Sequence, residues 1–481
     1  MNRLNTLALA AALAGAAAFP AAAQQQHGTT PPPPGALRPF RVPTPQEFTL
    51  SNGLRVVVVT QPALPIVNAR ILVNAGSVYE PAEKNGVAQL TALLLREGAR
   101  GLTGSQIAQR MERLGAQFST AAGYASANAQ VTALKPALAE ALELAARTVM
   151  EPTFPQGEFT RVRTQSIANW AQNQATVEGL ANDAFARALF ERSAPYARQP
   201  LGTRATLEGL TLQDVQAWHR QMFSPRNAML LLVGDVTVAE ARQIAQRALG
   251  AWAGPAVQLP AVSNPVNPAS GTRLILVDRP GSVQSGMYVG QPTLGWGDPD
   301  YFAMRALSEV LGGGFKARMN TNLRERHGWT YGAFTQFNPR SRVGLFAISS
   351  AVRTNATDSA VAEAVREYRR IASEPVPAAE LTSTLNNVVG SFPNGVQTVQ
   401  GLAGNMETLL LYGLPTNFWS TFRERMAAVT PADVARVGQS RLAAAPVTVV
   451  VAGDLSKIEQ PLRALNLGTV EVWDADGNKL R

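Results

Sequence analysis

The feature that most restricts how this chain can fold is an internal repeat. Thr211–Leu212–Gln213–Asp214–Val215 returns as Thr430–Pro431–Ala432–Asp433–Val434, a shift of 219 residues (430 − 211). Leu232–Val233–Gly234–Asp235 returns as Val451–Ala452–Gly453–Asp454 at the same shift (453 − 234). Glu151–Pro152 recurs as Glu374–Pro375, a shift of 223 (374 − 151), and Leu54–Arg55–Val56 as Thr272–Arg273–Leu274, a shift of 218 (272 − 54). Landmarks spread over most of the chain at nearly one offset imply a tandem duplication of one domain. The length of 481 residues agrees, being too great for a single ordinary core. The predicted division is a first domain over residues 45–255, a Pro/Ala/Asn-rich linker over 256–270 and a second domain over 271–481.

Within each half, strand-like runs are interrupted by pairs of helical patterns. That order predicts an α+β fold in which each copy has a mostly antiparallel sheet flanked by helices. Residues 54–59 and 66–73 are β-branched runs bounded by turn residues and read as an antiparallel pair. Residues 86–98 (GVAQLTALLLREG) are apolar at helical spacing, with Gly98 as the expected stop. Ala127, Ala129, Val131 and Ala133 alternate with polar residues, as in a strand with one buried face. Pro136 sits at the first turn of a helix that places Leu138, Leu142 and Val149 on one side. Further helices are predicted over 158–173 and 212–222, and a buried strand over 229–233.

Composition matters mainly for location and chemistry. Met1–Asn2–Arg3, an apolar alanine-rich stretch over 4–19 and Ala21–Ala22–Ala23 together read as a cleavable signal peptide, residues 1–23. The apolar stretch is too short for a permanent span, so the mature chain is expected in the periplasm. Residues 24–44, with Pro31–Pro34 consecutive, read as an extended tether. There is no cysteine, which excludes disulfides and thiolate metal sites. The net charge of +9 comes without a basic run or an aromatic stripe, so nucleic acid is not an expected partner.

Chemistry-bearing residues concentrate in residues 312–331, GGGFKARMNTNLRERHGWTY. Gly312, Gly313 and Gly314 end an apolar helix. A charged segment follows, carrying Arg324, Glu325, Arg326 and His327, and it closes on Gly328 and Tyr331. The glycine run lacks the spacing and the Lys-Ser/Thr pair of a phosphate loop, and reads first as a helix cap. Only two other histidines exist, His27 and His219, and neither stands at ligand spacing with His327. No Gly-x-Ser-x-Gly elbow is present.

The duplication and these landmarks resemble the pitrilysin and mitochondrial processing peptidase family of zinc metallopeptidases, over residues 45–475. In that family the first helix carries His-x-x-Glu-His, with two histidines on one helix face as metal ligands and the glutamate as general base. The matching helix here places Gln89 and Leu93 at the histidine positions and Ala92 at the base position. The helix expected to supply the third ligand, over 161–174, has no acidic residue. The second-domain pattern is intact, with Leu323–Arg324–Glu325–Arg326–His327–Gly328–Trp329–Thr330–Tyr331. The resemblance therefore implies a chain without its own zinc whose Arg324 and Tyr331 hold a peptide backbone and stabilise charge on its carbonyl oxygen. The glycine run 312–314 would lie beside the substrate. It further implies a homologous partner subunit that brings the zinc, giving a heterodimer acting on peptides. A peptide-binding or scaffolding protein without catalysis is the alternative.

Overall fold

The computed structural model describes residues 41–268 and 270–481, so the predicted signal peptide and most of the tether lie outside the described residues. The first half contributes β1 (Gln46–Thr49), β2 (Arg55–Thr60), β3 (Ile66–Val73), a short hairpin of β4 (Gly98–Ala99) and β5 (Leu102–Thr103), β6 (Gln117–Ala122), β7 (Ala127–Leu134) and β8 (Ala228–Gly234). The second contributes β9 (Arg273–Asp278), β10 (Gln284–Leu294), β11 (Thr330–Asn338), β12 (Val343–Arg353), β13 (Thr448–Gly453) and β14 (Thr469–Trp473).

Two six-stranded sheets result, ordered β1-β2-β8-β3-β7-β6 and β11-β12-β10-β13-β9-β14. Read from β2 and from β9, the same five-strand frame appears twice: β2-β8-β3-β7-β6 and β9-β13-β10-β12-β11. In each copy one contact is parallel, β2 with β8 and β9 with β13, and the others are antiparallel. The architecture is a duplicated α/β unit with helices flanking each sheet. Every residue of β8 (AMLLLVG) and of β13 (TVVVAG) is buried, as expected for central strands covered on both faces.

Two local expectations are corrected. β2 and β3 do not pair: β8 lies between them, parallel to β2 and antiparallel to β3. Proximity in sequence suggested a hairpin, but the wholly apolar β8 needs neighbours on both edges, and a parallel partner arrives by a long crossover that leaves no local sequence mark. The helix α1 (Val87–Leu95) stops before Gly98. Gly98 instead opens β4, where a Cβ would meet Thr153 Oγ1 at 2.4 Å. Close approach, not helix termination, requires that glycine.

The helices of the two halves are exchanged. After α2 (Gln156–Gln174), the helix α3 (Val177–Leu189) packs on β10 and β13 of the second sheet. Leu180, Ala184, Phe185 and Ala188 share one buried cluster with Ile275, Tyr288, Val450 and Ala452. After α4 (Tyr301–Gly312), the helix α5 (Val399–Leu411) packs in turn on β3 and β8 of the first sheet. Both exchanged helices begin on a threonine cap 222 residues apart (398 − 176), with Thr176 accepting from Gly179 N and Thr398 from Gly401 N.

At equivalent points of the two crossings the contacts differ. Arg70 of β3 pairs with Glu407 of α5 at 2.5 Å and also donates to Gln400 O at 3.0 Å. The counterpart of Arg70 is Tyr288, since Arg70 faces Leu231 and Tyr288 faces Val450, 219 residues later (450 − 231). The counterpart of Glu407 is Phe185 (407 − 185 = 222), and the Phe185 and Tyr288 rings lie 5.3 Å apart. One half uses a buried ion pair where the other uses an aromatic pair.

Candidate functional site

The site region begins where α4 meets the edge strand β11. Gly312 is the last helical residue, and a Cβ there would meet Thr335 N of β11 at 2.5 Å. Gly313 packs against its own helix, where a Cβ would strike Glu309. Burial raises the pKa of that glutamate, with partial compensation from Arg305 one turn earlier. Gly314 has nothing within 4 Å of a built Cβ. None of the three has a positive φ. Gly312 alone therefore serves close packing of helix on strand, and the cap is formed by Gly313 in ordinary helical geometry.

Beyond the glycines the chain forms a π-helix over Asn320–Arg326. Such wide turns are uncommon and recur at functional positions. Arg318, just before it, is fixed by a two-pronged pair with Glu380 at 2.8 and 2.7 Å. Asn320 is wholly buried. Its amide nitrogen donates to Ala333 O at 2.7 Å and Gly314 O at 3.2 Å, and its oxygen accepts from Ala333 N at 3.1 Å. The side chain thus bonds β11 as a neighbouring strand would, and ties the glycine turn to it.

Gly328, at φ 61°, reverses the chain into β11. The strand is irregular at its start, with a β-bulge between Thr330 and Ala333. Thr330 Oγ1 accepts from Gly332 N at 3.0 Å and donates to Ala351 O at 2.7 Å, while Ser350 Oγ donates to Gly332 O at 2.9 Å. This network turns Tyr331 outward, where it is 90% exposed. Arg324, on the last turn of the π-helix, lies with its guanidinium carbon 4.9 Å from the Phe315 ring centroid. Phe315 in turn meets Phe334 edge-on at 5.5 Å, and both rings are exposed. His327 stacks on Trp329 at 4.0 Å and belongs to no candidate metal-binding group among the described residues.

The structure therefore brings Arg324, Tyr331 and the glycine run to one edge of the second sheet, with Phe315 and Phe334 beside them. It joins none of these by hydrogen bond or ion pair to α1. There, Gln89 Oε1 accepts from Ala122 N of the edge strand β6 at 2.6 Å. Ala92 is fully buried, and Leu93 packs with Phe118, Ile167 and Trp170 against the first core. The donor set at the zinc position is one engaged amide and two hydrocarbon side chains, which do not fit a zinc ion. Among the described residues no group of three or more His, Cys, Asp or Glu could hold a metal. The N-terminus of α1 is held instead by Glu80, which accepts from Ala88 N at 2.7 Å and Gly86 N at 3.1 Å. Burial pushes that carboxyl up to about 7 against the pull of Asn85 and these two N–H groups.

Asn320, Phe315 and Phe334 were not singled out by sequence. A phenylalanine directly after three glycines, outside any helical stripe, was the available signal for Phe315. Nothing local marked Asn320, because its bonding partner lies thirteen residues on and a β-bulge away.

Two family models match the chain. The one described as insulinase (peptidase family M16) covers residues 55–197, and the one described as peptidase M16 inactive domain covers 209–388. An uncharacterized zinc protease of Streptomyces coelicolor is 24% identical over 422 residues, spanning 85% of this chain and 89% of the relative. A non-peptidase homolog, YmxG of Helicobacter pylori, is 22% identical over 373 residues, spanning 77% and 85%. The crystal structure of a peptidase M16 inactive domain from Pseudomonas fluorescens superposes with a TM-score of 0.79 at 26% identity, covering 85% of this chain and 98% of that one.

Proposed function

Because the chain belongs to the pitrilysin-like M16 peptidase family, we propose that it is the non-zinc subunit of a two-chain periplasmic peptidase. Arg324 and Tyr331 would reach into the partner's active site. The guanidinium and the phenol O–H would donate to a peptide carbonyl oxygen and hold the substrate as charge develops there. The partner, a homologue with an intact His-x-x-Glu-His helix, would supply the zinc and the general base. β11 is an edge strand, occupied at Ala333 by Asn320 and at Thr335 by Gly312, and an extended peptide would lie only along the backbone groups these leave free.

One observation carries this reading. A tyrosine 90% exposed is built outward by a partly buried polar network near a half-buried arginine, in a chain whose own zinc-helix positions are amide and hydrocarbon. The test is to reconstitute the chain with a zinc-motif homologue from the same genome and assay peptide cleavage. Arg324→Ala and Tyr331→Phe should each lower kcat by roughly 10²–10³, while zinc content and complex formation persist. Undiminished cleavage by both variants would refute a shared site.

The resemblance to a non-peptidase homolog favours a second reading, in which the chain binds peptides or scaffolds an assembly without catalysis. Peptide binding with no turnover in any pairing would select it.

A further inference from the structure

Phe315 and Phe334 flank the Arg324–Tyr331 edge and take no part in the chemistry proposed for it. Phe315 is 60% exposed and Phe334 37%. Single apolar side chains in water are ordinary, but two rings in contact beside an exposed tyrosine make a patch, and patches mark contact surfaces. The ring planes stand at 80° with centroids 5.5 Å apart, so the pair forms a corner and not a stack. The Phe334 ring has a prepared seat. A Cβ on Gly332 would meet Phe334 Cε2 at 2.6 Å, so the ring occupies space that only a glycine leaves open. The Arg324 guanidinium lies over the Phe315 ring, and Tyr331 precedes Gly332 in the chain. The corner therefore adjoins both side chains proposed to hold the peptide carbonyl.

Such a corner suits an apolar side chain, which gains both from area removed from water and from edge or face contact with the rings. Phe334 follows Tyr331 by three positions on β11, roughly 10 Å along a strand. An extended peptide covers that distance within a few residues, so the side chain that reaches the corner belongs to a residue close to the held carbonyl. We propose that Phe315 and Phe334 form a side-chain subsite that selects peptides with a bulky apolar residue, Phe or Leu, at one fixed position near the carbonyl held by Arg324 and Tyr331. This subsite presupposes the shared site proposed above and adds its substrate class.

The test uses alanine–glycine peptides carrying one Phe, Leu or Ala guest, moved through successive positions, with the chain reconstituted with its zinc-motif homologue and the products read by mass spectrometry. At one position relative to the cut, Phe and Leu guests should exceed the Ala guest in kcat/KM by about tenfold or more. Phe315→Ser should bring that ratio to within about twofold of unity. Arg324→Ala should slow every guest and keep the ratio. The two readings fail differently. Undiminished cleavage by Arg324→Ala counts against the shared site, whereas equal rates for all guests in the parent, or a ratio unchanged in Phe315→Ser, overturn the subsite. Loss of pairing in Phe315→Ser with the guest ratio retained would make the corner a subunit contact and overturn it as well. Where no pairing cleaves, isothermal titration of the single chain decides. The Phe-guest peptide should bind about fivefold or more tighter than the Ala-guest peptide, and Phe315→Ser should erase the difference; equal binding by the parent would refute the subsite.

Discussion

Asn320 is the residue on which the geometry of the Arg324–Tyr331 edge rests, and removing it gives a result with a calculable size. Its side chain makes three hydrogen bonds in a fully buried setting, two to Ala333 and one to Gly314. Asn320→Ala leaves Ala333 N and Ala333 O without those partners, while Gly314 O keeps its bond from Ala317 N at 3.0 Å. A buried group left unsatisfied costs about 1–3 kcal/mol. Taking the low end for each of the two, because the edge strand admits some water, gives a loss of about 2 kcal/mol. Asn320→Asp sharpens the test. An ionised carboxylate there would still accept from Ala333 N but would face Ala333 O and Gly314 O as like charges. The folded state therefore favours the protonated acid, which can donate to one of them. Its folded pKa is raised above the unfolded value of about 3.9, so stability is greatest below that value and declines as pH rises through the folded pKa. Urea unfolding of both variants at pH 4 and pH 7, with hydrogen exchange at the Ala333 amide, reads these effects. Asn320→Asp should be closer to the parent at pH 4 than at pH 7, and Ala333 should lose protection in Asn320→Ala. If Asn320→Ala unfolds within 0.5 kcal/mol of the parent (roughly the spread of neutral surface substitutions) and Ala333 stays protected, the clamp is wrong.

Two further outcomes follow from the packing between halves. Glu407→Ala removes the counter-charge of Arg70, whose side chain is only 11% exposed but keeps its bonds to Asn68 Oδ1 and Gln400 O, and should cost about 2–3 kcal/mol, below the range for a wholly buried pair. The double change Arg70→Tyr with Glu407→Phe copies the Tyr288–Phe185 contact of the other crossing and should recover more than half of that loss in urea unfolding; equal losses would refute the equivalence. His219 is stacked on Phe223 at 4.6 Å and bonded to Val149 O at 2.8 Å, and its pKa is lowered mainly by burial. Its folded pKa lies below the unfolded value of about 6.5, so this contribution is fully present above pH 6.5 and is lost as pH falls below it. Between pH 7.5 and 5.5 the stability of His219→Phe should therefore fall less than that of the parent, and parallel slopes would show that the histidine does not titrate this way.

What could be read in advance divides by range along the chain. The central strands and the repeat offset were legible because burial on both faces forces apolar, β-branched residues, as in β8 and β13, and duplication preserves spacing. Arg324 and Tyr331 were legible as a spaced motif. The insertion of β8 between β2 and β3 was not, because strand order is decided by which edges remain open after collapse. Exchange of α3 and α5 was equally hidden: an amphipathic stripe states that a face is buried, not which sheet buries it. Gly98 and Gly312 show a third limit. Each reads as a terminator, yet each is required by a neighbour, Thr153 or Thr335, that is distant or irregularly placed in sequence.

The two halves also show how differently a frame and its chemistry are constrained. At α1 the loss of ligands is compatible with a sound fold: Ala92 lies wholly in the core, Leu93 packs against it, and Gln89 satisfies an edge N–H of β6. Packing alone accounts for those three residues. It does not account for Tyr331. An aromatic ring 90% exposed contributes almost no buried area, at about 25 cal/mol per Å², to holding the chain together. Yet the half-buried Thr330 and the buried Ser350 and Asn320 commit their polar side chains to the bulge that carries it. The proposed contact with a partner's active site would give the exposed ring a use, and the nearby Arg324 suits the same polar, oxygen-rich contact.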